Sequence, residues 1–434
     1  MRHDAKGNDP FASLLKKQLS LRSKNPFLTI IMKREFAFPA ALLSALLVCS
    51  CKNNATNDDC LQITKHDVIE LEGSFDDNYL ESWDYILLDD DNLDGILGNN
   101  YRVQYDDGLY FLDDIRPMNY AIKVFDSTGH YLNNIGRMGR ARNEFLFIDE
   151  WIIDPYRNQV LLINRNGYYS NVTIKRYDYQ GNFISQTETD TLTDQYHIGK
   201  VIKSMADGSI LVENNLSFKP IYEYFYIHPD GTFSTPLGTN GYDQNWSDED
   251  LAILKHDIQL AGDWGGFYIR EATYNVLSDT TVLMPKLDSH IYSLYGTGYS
   301  CIANLSCLPQ VSDYDKKHLG YEAFRDDDDI STINEYKDYL YIIYNDRTEY
   351  VFEKRTSKLL RMKHDISNLK VPDHGFYTIH GNDVISTITS YSIKNVLESI
   401  DNNESDWSYS PDVMEFYRKV KDHENSIIII AHYK

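Results

Sequence analysis

The chain has 434 residues, 42% of them apolar, with 34 Tyr and 18 Phe. That is enough apolar material for a packed core, which excludes a disordered chain, and enough length for one large β domain or two or three ordinary ones. The net charge is −23; residues 1–50 carry eight basic and three acidic residues, which leaves the remainder at −28 and argues against nucleic acid as a partner.

Residues 1–31 are polar and basic, with no pattern that joins the rest. They read as an upstream extension of the reading frame, with Met32 as the expected start. Residues 32–50 follow as a signal peptide. Lys33 and Arg34 precede an apolar run from Phe36 to Val48, too short to span a bilayer comfortably but suited to a signal-peptide core. The run ends in Leu47-Val48-Cys49-Ser50-Cys51. This resembles the bacterial lipobox, which implies lipidation of Cys51 and a membrane partner through that lipid. Residues 51–74 are read as the lipidated cysteine and a polar tether. Cys60, Cys301 and Cys307 remain beyond it. Cys301 and Cys307 lie six residues apart on an extended segment, about 20 Å in span, so no disulfide framework is expected.

Residues 75–434 are organised by a repeat. The segments IKVFDSTGHYL (122–132), IKRYDYQGNFI (174–184) and YFYIHPDGTFS (224–234) each read as strand, Asp/Gly turn and strand, a hairpin signal. Asp126, Asp178 and Asp230 recur every 52 residues. Weaker copies are 291–301 and 350–360. A second hairpin precedes each, at 105–114, 154–164, 205–215, 277–285 and 334–345. Two hairpins make a four-stranded unit, and five units run from Arg102 to Met362. A sixth is assembled from 375–391, from NSIIIIAHY (425–433) and from the N-terminal strand SWDYILLDD (82–90). The expected fold is therefore all-β: a six-bladed β-propeller closed by pairing of the N- and C-terminal strands. Short helical insertions are expected at 244–262, 392–399 and 410–424, the last with Ser410 as cap and Pro411 in the first turn.

The segment IGRMGRARNEFLFIDEWIIDPYRNQVLLIN (135–164) resembles an NHL-type propeller unit. More closely, it is similar to the six-bladed β-propeller lipoproteins of Bacteroidetes, through Gly136, Arg137, Gly139, Glu144 and Phe145. Ala141, Arg142 and Asn143 depart from the Gly-Pro-Gly of that family's turn. The acidic pair Asp58-Asp59 after Cys51 resembles the surface-export signal of such lipoproteins. The resemblance implies the fold and an envelope location, as an outer-membrane lipoprotein that can be surface-exposed, and no catalytic activity.

Candidate binding residues fall in two groups. Arg137, Arg140 and Arg142 lie within six residues of an acidic protein and suit bidentate binding of a carboxylate or sulfate; the plainer reading pairs Arg137 with Glu144 across the turn. Trp246 and Trp264, with Tyr242, Phe267 and Tyr268, offer faces on which a sugar ring or peptide side chain stacks, or else pack their insertion onto its blade. The acidic runs 89–91 and 326–329 make Ca²⁺ the one cation worth considering, but a contiguous run splays its carboxylates. His374 and His380 make a weak metal pair. No zinc, P-loop or nucleophile-elbow motif is present, so no cofactor is expected. These residues point to a non-catalytic module for a glycan, peptide or protein ligand. The alternative is an envelope hydrolase or lyase using acidic residues at the propeller channel.

Overall fold

The computed structural model describes residues 60–98, 102–114, 120–167, 170–192, 196, 198–214, 223–235, 271–275, 281–283, 290–295, 298–308, 330–344, 347–363, 368–372, 377–402 and 408–434. Strands dominate, and the fold is the expected six-bladed propeller.

An N-terminal arm comes first: β1 (Leu61–Gln62), β2 (Val68–Glu72), helix α1 (Phe75–Tyr79) and β3 (Leu80–Leu87). Blade 1 contains β4 (Val103–Asp106), β5 (Leu109–Asp114), β6 (Ala121–Asp126) and β7 (Tyr131–Ile135), paired in that order from axis to rim. Blade 2 repeats the pattern with β8 (Glu150–Asp154), β9 (Gln159–Arg165), β10 (Val172–Asp178) and β11 (Phe183–Glu188). Blade 3 has β12 (Ile198–Ser204), β13 (Ile210–Asn214) and β14 (Glu223–Ile227), with a single bridge from Ile227 to Phe233 where a fourth strand would lie. Then come β15 (Glu271–Thr273) and blade 4, made of β16 (Thr281–Leu283), β17 (His290–Tyr295) and β18 (Gly298–Asn304). Blade 5 is β19 (Ile330–Glu335), β20 (Tyr339–Tyr344), β21 (Glu349–Glu353) and β22 (Lys358–Lys363). After β23 (Asn368–Leu369), blade 6 has β24 (Tyr377–His380) and β25 (Asp383–Ile388). Helix α2 (Ser390–Asp401), β26 (Ser408–Tyr409) and helix α3 (Pro411–Val420) precede β27 (Ile427–Tyr433). The Ser410 cap and Pro411 start of α3 are as expected. The expected helix at 244–262 lies outside the described residues.

Closure follows the expected route. β27 pairs antiparallel with β25 on one side and with β3 on the other, from Ile427↔Leu87 to Tyr433↔Leu80. The last blade therefore takes its outer strand from the start of the fold.

The core sits between blades. Alternate residues of one strand face opposite neighbours. In β9, Val160 and Leu162 pack toward blade 1 while Leu161 and Ile163 pack toward blade 3. In blade 5, Leu340 and Ile342 face blade 4 while Tyr339 and Tyr341 face blade 6. Both faces of a blade are buried, so its middle strands are continuous apolar runs rather than alternating ones. Among the described residues the buried side chains fall into six clusters, one per blade junction.

The hairpin turns lock neighbouring blades. Gly129, Gly181 and Gly231 all have φ between 83° and 91°. A Cβ there would land on the carbonyl oxygen of Leu87, Asn134 or Glu188, each at or just beyond the outer strand of the preceding blade. Each glycine N–H closes its turn onto Asp126, Asp178 or His228. The third turn therefore aligns on His228 and not on Asp230. The true recurrence is 52 then 50 residues, because Pro229-Asp230 occupies the two central turn positions.

Two other expectations are corrected. The tether does not run to residue 74: β1 adds parallel to β18, and β2 adds parallel to β22. The folded unit begins at Cys60. A disulfide is present, between Cys60 and Cys301, with Cα atoms 5.2 Å apart across a sequence separation of 241. The arm makes this pairing by bringing Cys60 to the rim of blade 4, while Cys307 stays free in the turn after β18.

The arm is held at α1 by an aromatic socket. Ser74 caps the helix in a reciprocal box with Asp77. Phe75 is buried, stacked on Tyr341 at 4.0 Å and on Tyr79 and Tyr433 at 5.1 Å, with Tyr336 and Tyr339 beside it. Burial pushes Tyr336, Tyr341 and Tyr433 well above the usual phenol range, so their hydroxyls remain donors. Tyr433 donates to Asp76 at 3.0 Å, and Tyr341 donates to Glu349.

Truncating Phe75 to Ala leaves a ring-sized void that five rigid neighbours cannot fill. Denaturant unfolding of Phe75→Ala is expected to show a loss of about 3–5 kcal/mol. A pH signature comes from Asp76, whose carboxyl is pushed up to about 6, chiefly by burial. Because the folded-state value lies above the unfolded one, this group's contribution is fully present below about pH 4. It is lost as pH rises through about 6. Unfolding free energy should fall by roughly 3 kcal/mol across that window, and Asp76→Asn should flatten the slope in a urea titration at several pH values.

Candidate functional site

The connection from β7 to β8 crosses from the rim of blade 1 to the axis side of blade 2, and it carries all three arginines. It begins at Gly136, where φ is 63° and a Cβ would press on Phe145 and Tyr177 at 3.0–3.1 Å. Phe145 is the buried anchor, packed with Tyr177 and Trp151 in the blade 1–2 core. Two backbone bonds close the loop on that anchor: the Phe145 N–H donates to the Arg137 carbonyl at 3.1 Å, and the Gly139 N–H donates to the Phe145 carbonyl at 2.8 Å.

Glu144 organises the rest. Its carboxylate accepts the Ala141 N–H at 2.8 Å and pairs with the Arg137 guanidinium at 2.7 Å. The Ala141 N–H, and then Arg137, hold this carboxyl below its ordinary value. A side chain at Gly139 would displace the Glu144 carboxylate from its place in the loop. From β10, Lys175 donates to the carbonyls of Arg142, at 3.0 Å, and of Glu144. The Tyr177 hydroxyl donates to the Asn143 carbonyl at 3.2 Å. The loop thus turns carbonyls inward to fixed donors and leaves Arg140 and Arg142 exposed.

The plainer reading of Arg137 holds, since it is a strut of the turn. Arg140 and Arg142 are exposed and make no ion pair among the described residues. Around them Met138, Leu146 and Phe147 are 38%, 54% and 47% exposed, apolar surface on a loop that also buries Phe145. The loop therefore presents two free guanidinium groups beside an apolar face, on a backbone with little freedom left to lose on binding. The arginines were legible in the sequence. Their apolar companions were not, because the Glu-Phe-Leu-Phe-Ile run reads as a buried strand start.

The carboxylates near the axis behave differently. Asp106 accepts the Tyr179 hydroxyl at 2.6 Å, and Asp154 pairs with Arg157 at 3.2 Å. Glu335 accepts Lys354 at 2.9 Å and the Val282 N–H of blade 4 at 3.1 Å. Burial raises Glu335, opposed by Lys354 and Lys203. On the next strand out, Asp114 lies 3.5 Å from the buried Lys123 amine, and Asp113 accepts the Trp151 indole at 3.2 Å. Asp106, Asp113 and Glu335 thereby join one blade to the next, while Asp114 and Lys123 both belong to blade 1. In addition, β15 pairs parallel with β19 on its axis side, so backbone lies against the inner edge of blade 5.

Asp89, Asp90 and Asp91 bring one carboxylate oxygen each within 4.8 Å of the others. Asp89 accepts the Asp91 N–H at 3.1 Å and Asp90 faces His423 at 3.3 Å. Three oxygens fall short of the six to eight that Ca²⁺ requires. Cys51, Trp246, Trp264, Tyr242, Phe267, Tyr268, His374 and the acidic run 326–329 lie outside the described residues. His380 is edge-on to Tyr105 at 4.8 Å. Among the described residues no helix is long and apolar enough to cross a membrane.

Comparison with known proteins supports the architecture. Residues 52–226 match the family DUF5128, described as a 6-bladed beta-propeller. No curated protein matches the chain. An exported protein of Bacteroides fragilis is similar in structure, with a TM-score of 0.56 at 14% identity, covering 85% of this chain and 99% of that one. A DUF4221 member from Bacteroides vulgatus covers 82% and 97% at 12% identity, with a TM-score of 0.45. What the chain shares with the B. fragilis protein is the propeller fold.

Proposed function

We propose that this chain is a lipid-anchored envelope propeller that binds an anionic ligand, non-catalytically, through the loop between blades 1 and 2. The observation that carries the reading is the pairing of two unpartnered arginines, Arg140 and Arg142, with exposed Leu146 and Phe147 on a loop fixed by Glu144, Phe145 and Lys175. Guanidinium forks recognise carboxylates and sulfates, and an aromatic face beside them stacks a sugar ring or an apolar side chain. A carboxylate- or sulfate-bearing glycan fragment or peptide matches that combination. Elsewhere the protein's strong negative charge repels such ligands, so this loop is where one would settle. Trp246 and Trp264 are proposed as further ligand-binding residues. A hydrolase or lyase would need an unengaged acid at the axis, and Asp106, Asp154 and Glu335 are each tied to a neighbouring side chain.

Envelope location rests on the Met32–Cys51 segment, with the outer membrane, and exposure at the cell surface, as its expected destination. The B. fragilis propeller is itself described as exported.

Two measurements test these readings. On arrays of acidic glycans and peptides, the protein should bind a defined subset, and Arg140→Glu with Arg142→Glu should weaken that binding at least tenfold. Binding that survives the double substitution overturns the site, and a flat array overturns the ligand class. Separately, Cys51→Ser should abolish lipid labelling and move the protein from the membrane fraction to the soluble one.

A further inference from the structure

The Cys60–Cys301 disulfide has a third member. Pairing of β1 with β18, at Leu61↔Ala303, and of β17 with β18, at His290↔Asn304, brings Cys60, Cys301 and His290 to one corner of blade 4. The two sulfur atoms and one imidazole nitrogen all lie within 4.8 Å of one another. Cys60 is buried, and the other two are half-buried. We infer that, when the disulfide is reduced, Cys60, Cys301 and His290 form a binding site for a thiophilic cation of the Zn²⁺ class.

Three arguments support the assignment. The first is geometric. Zn–S bonds of about 2.3 Å and Zn–N bonds of about 2.0–2.1 Å set tetrahedral ligand atoms roughly 3.5–3.8 Å apart. The three atoms here are within a side-chain rotation of that spacing, and the cysteine Cα atoms, 5.2 Å apart, need no backbone movement for the sulfurs to separate that far. The second is chemical. Two thiolates and an imidazole select Zn²⁺ or Cu⁺ over Ca²⁺ and Mg²⁺, which take oxygen ligands. The third is structural. β1 is only two residues long, pairing through Leu61 and Gln62, with one further bond from the Ile63 N–H to the Asn304 carbonyl. With the disulfide open, a cation shared by Cys60, Cys301 and His290 would hold the arm to blade 4 in its place.

The chemistry balances simply. A dithiol reductant transfers two electrons and two protons to the disulfide, becoming a disulfide itself and leaving two thiols. Cation binding then displaces those two protons, while His290 binds in its neutral form. The metal changes no oxidation state. The competing reading is a plain structural disulfide with a bystander histidine.

Co²⁺ reports thiolate ligation directly, through sulfur-to-cobalt charge-transfer absorption. The full chain should be prepared with Cys49, Cys51 and Cys307 replaced by serine, reduced with a phosphine under anaerobic conditions and titrated with Co²⁺. One equivalent is expected to give that absorption, Zn²⁺ is expected to displace it, and Zn²⁺ should raise the melting temperature of the reduced protein. The oxidised protein should give no absorption. His290→Ala should weaken binding at least tenfold while melting like its parent when oxidised, which separates loss of a ligand from loss of fold. Absence of thiolate absorption in the reduced protein, or binding indifferent to His290→Ala, overturns the assignment.

Discussion

Everything in this fold depends on the pairing of β3 with β27. Each blade buries both faces against its neighbours, so no blade is stable with one side missing. In an open stack the first and last blades would each expose an apolar face. Closing the ring covers both, and the cluster joining Leu88, Ile385 and Ile428 to Val103, Leu112 and Phe125 is the one made only at closure. The strands that secure it are about 340 residues apart. Loop-closure entropy grows only with the logarithm of that length, so a single strand pairing, backed by the aromatic socket at Phe75, suffices.

The arm does more than close the ring. Along its path it covers the outer edges of blades 4 and 5 before it becomes the outer strand of blade 6. Those edges differ from the others. The outer strands of blades 1 and 2 are Tyr131-Leu132-Asn133-Asn134-Ile135 and Phe183-Ile184-Ser185-Gln186-Thr187-Glu188, in which the polar residues discourage further strand addition. β18 and β22 instead carry Ile302-Ala303 and Leu359-Leu360, and these are the strands that β1 and β2 cap. The disulfide and Phe75 then fix the two ends of the protective segment. The covalent link, the helix cap and the aromatic socket all serve one task, keeping two sticky edges covered.

How much of this the sequence revealed follows from the range of each interaction. Hairpins are local, so the blade repeat, the glycine turns and the terminal strands at 82–90 and 425–433 were all legible. Even there a chance spacing misled: Asp230 lies 52 residues after Asp178, but the backbone turn counts from His228. Contacts between distant segments left no such trace. Nothing in Leu61-Gln62 identifies a strand, since its partner is in blade 4 and its side chains face outward. Cys60 and Cys301 share no pattern across 241 residues, so local distance arguments reached only Cys301 and Cys307. At the arginine loop the charged residues were visible, while the outward turn of Leu146 and Phe147 depends on Phe145 taking the inward position.

The same logic sorts the polar groups by what they are able to do. Near the axis, charges are spent on holding blades together: Glu335 joins Lys354 to the backbone of blade 4, and Arg157 reaches from Asp154 to the carbonyls of Met205 and Ala206 in blade 3. A buried charge with a fixed partner resists removal, because the group left behind is stranded in a low dielectric. The loss of such a residue would register as instability. The β7–β8 loop inverts this arrangement. There the inward groups, Glu144, Phe145 and Lys175, carry the structural load, and Arg140, Arg142 and Phe147 are left with none. Among the described residues, the junction of blades 1 and 2 thus carries exposed side chains on a backbone that other groups hold in place.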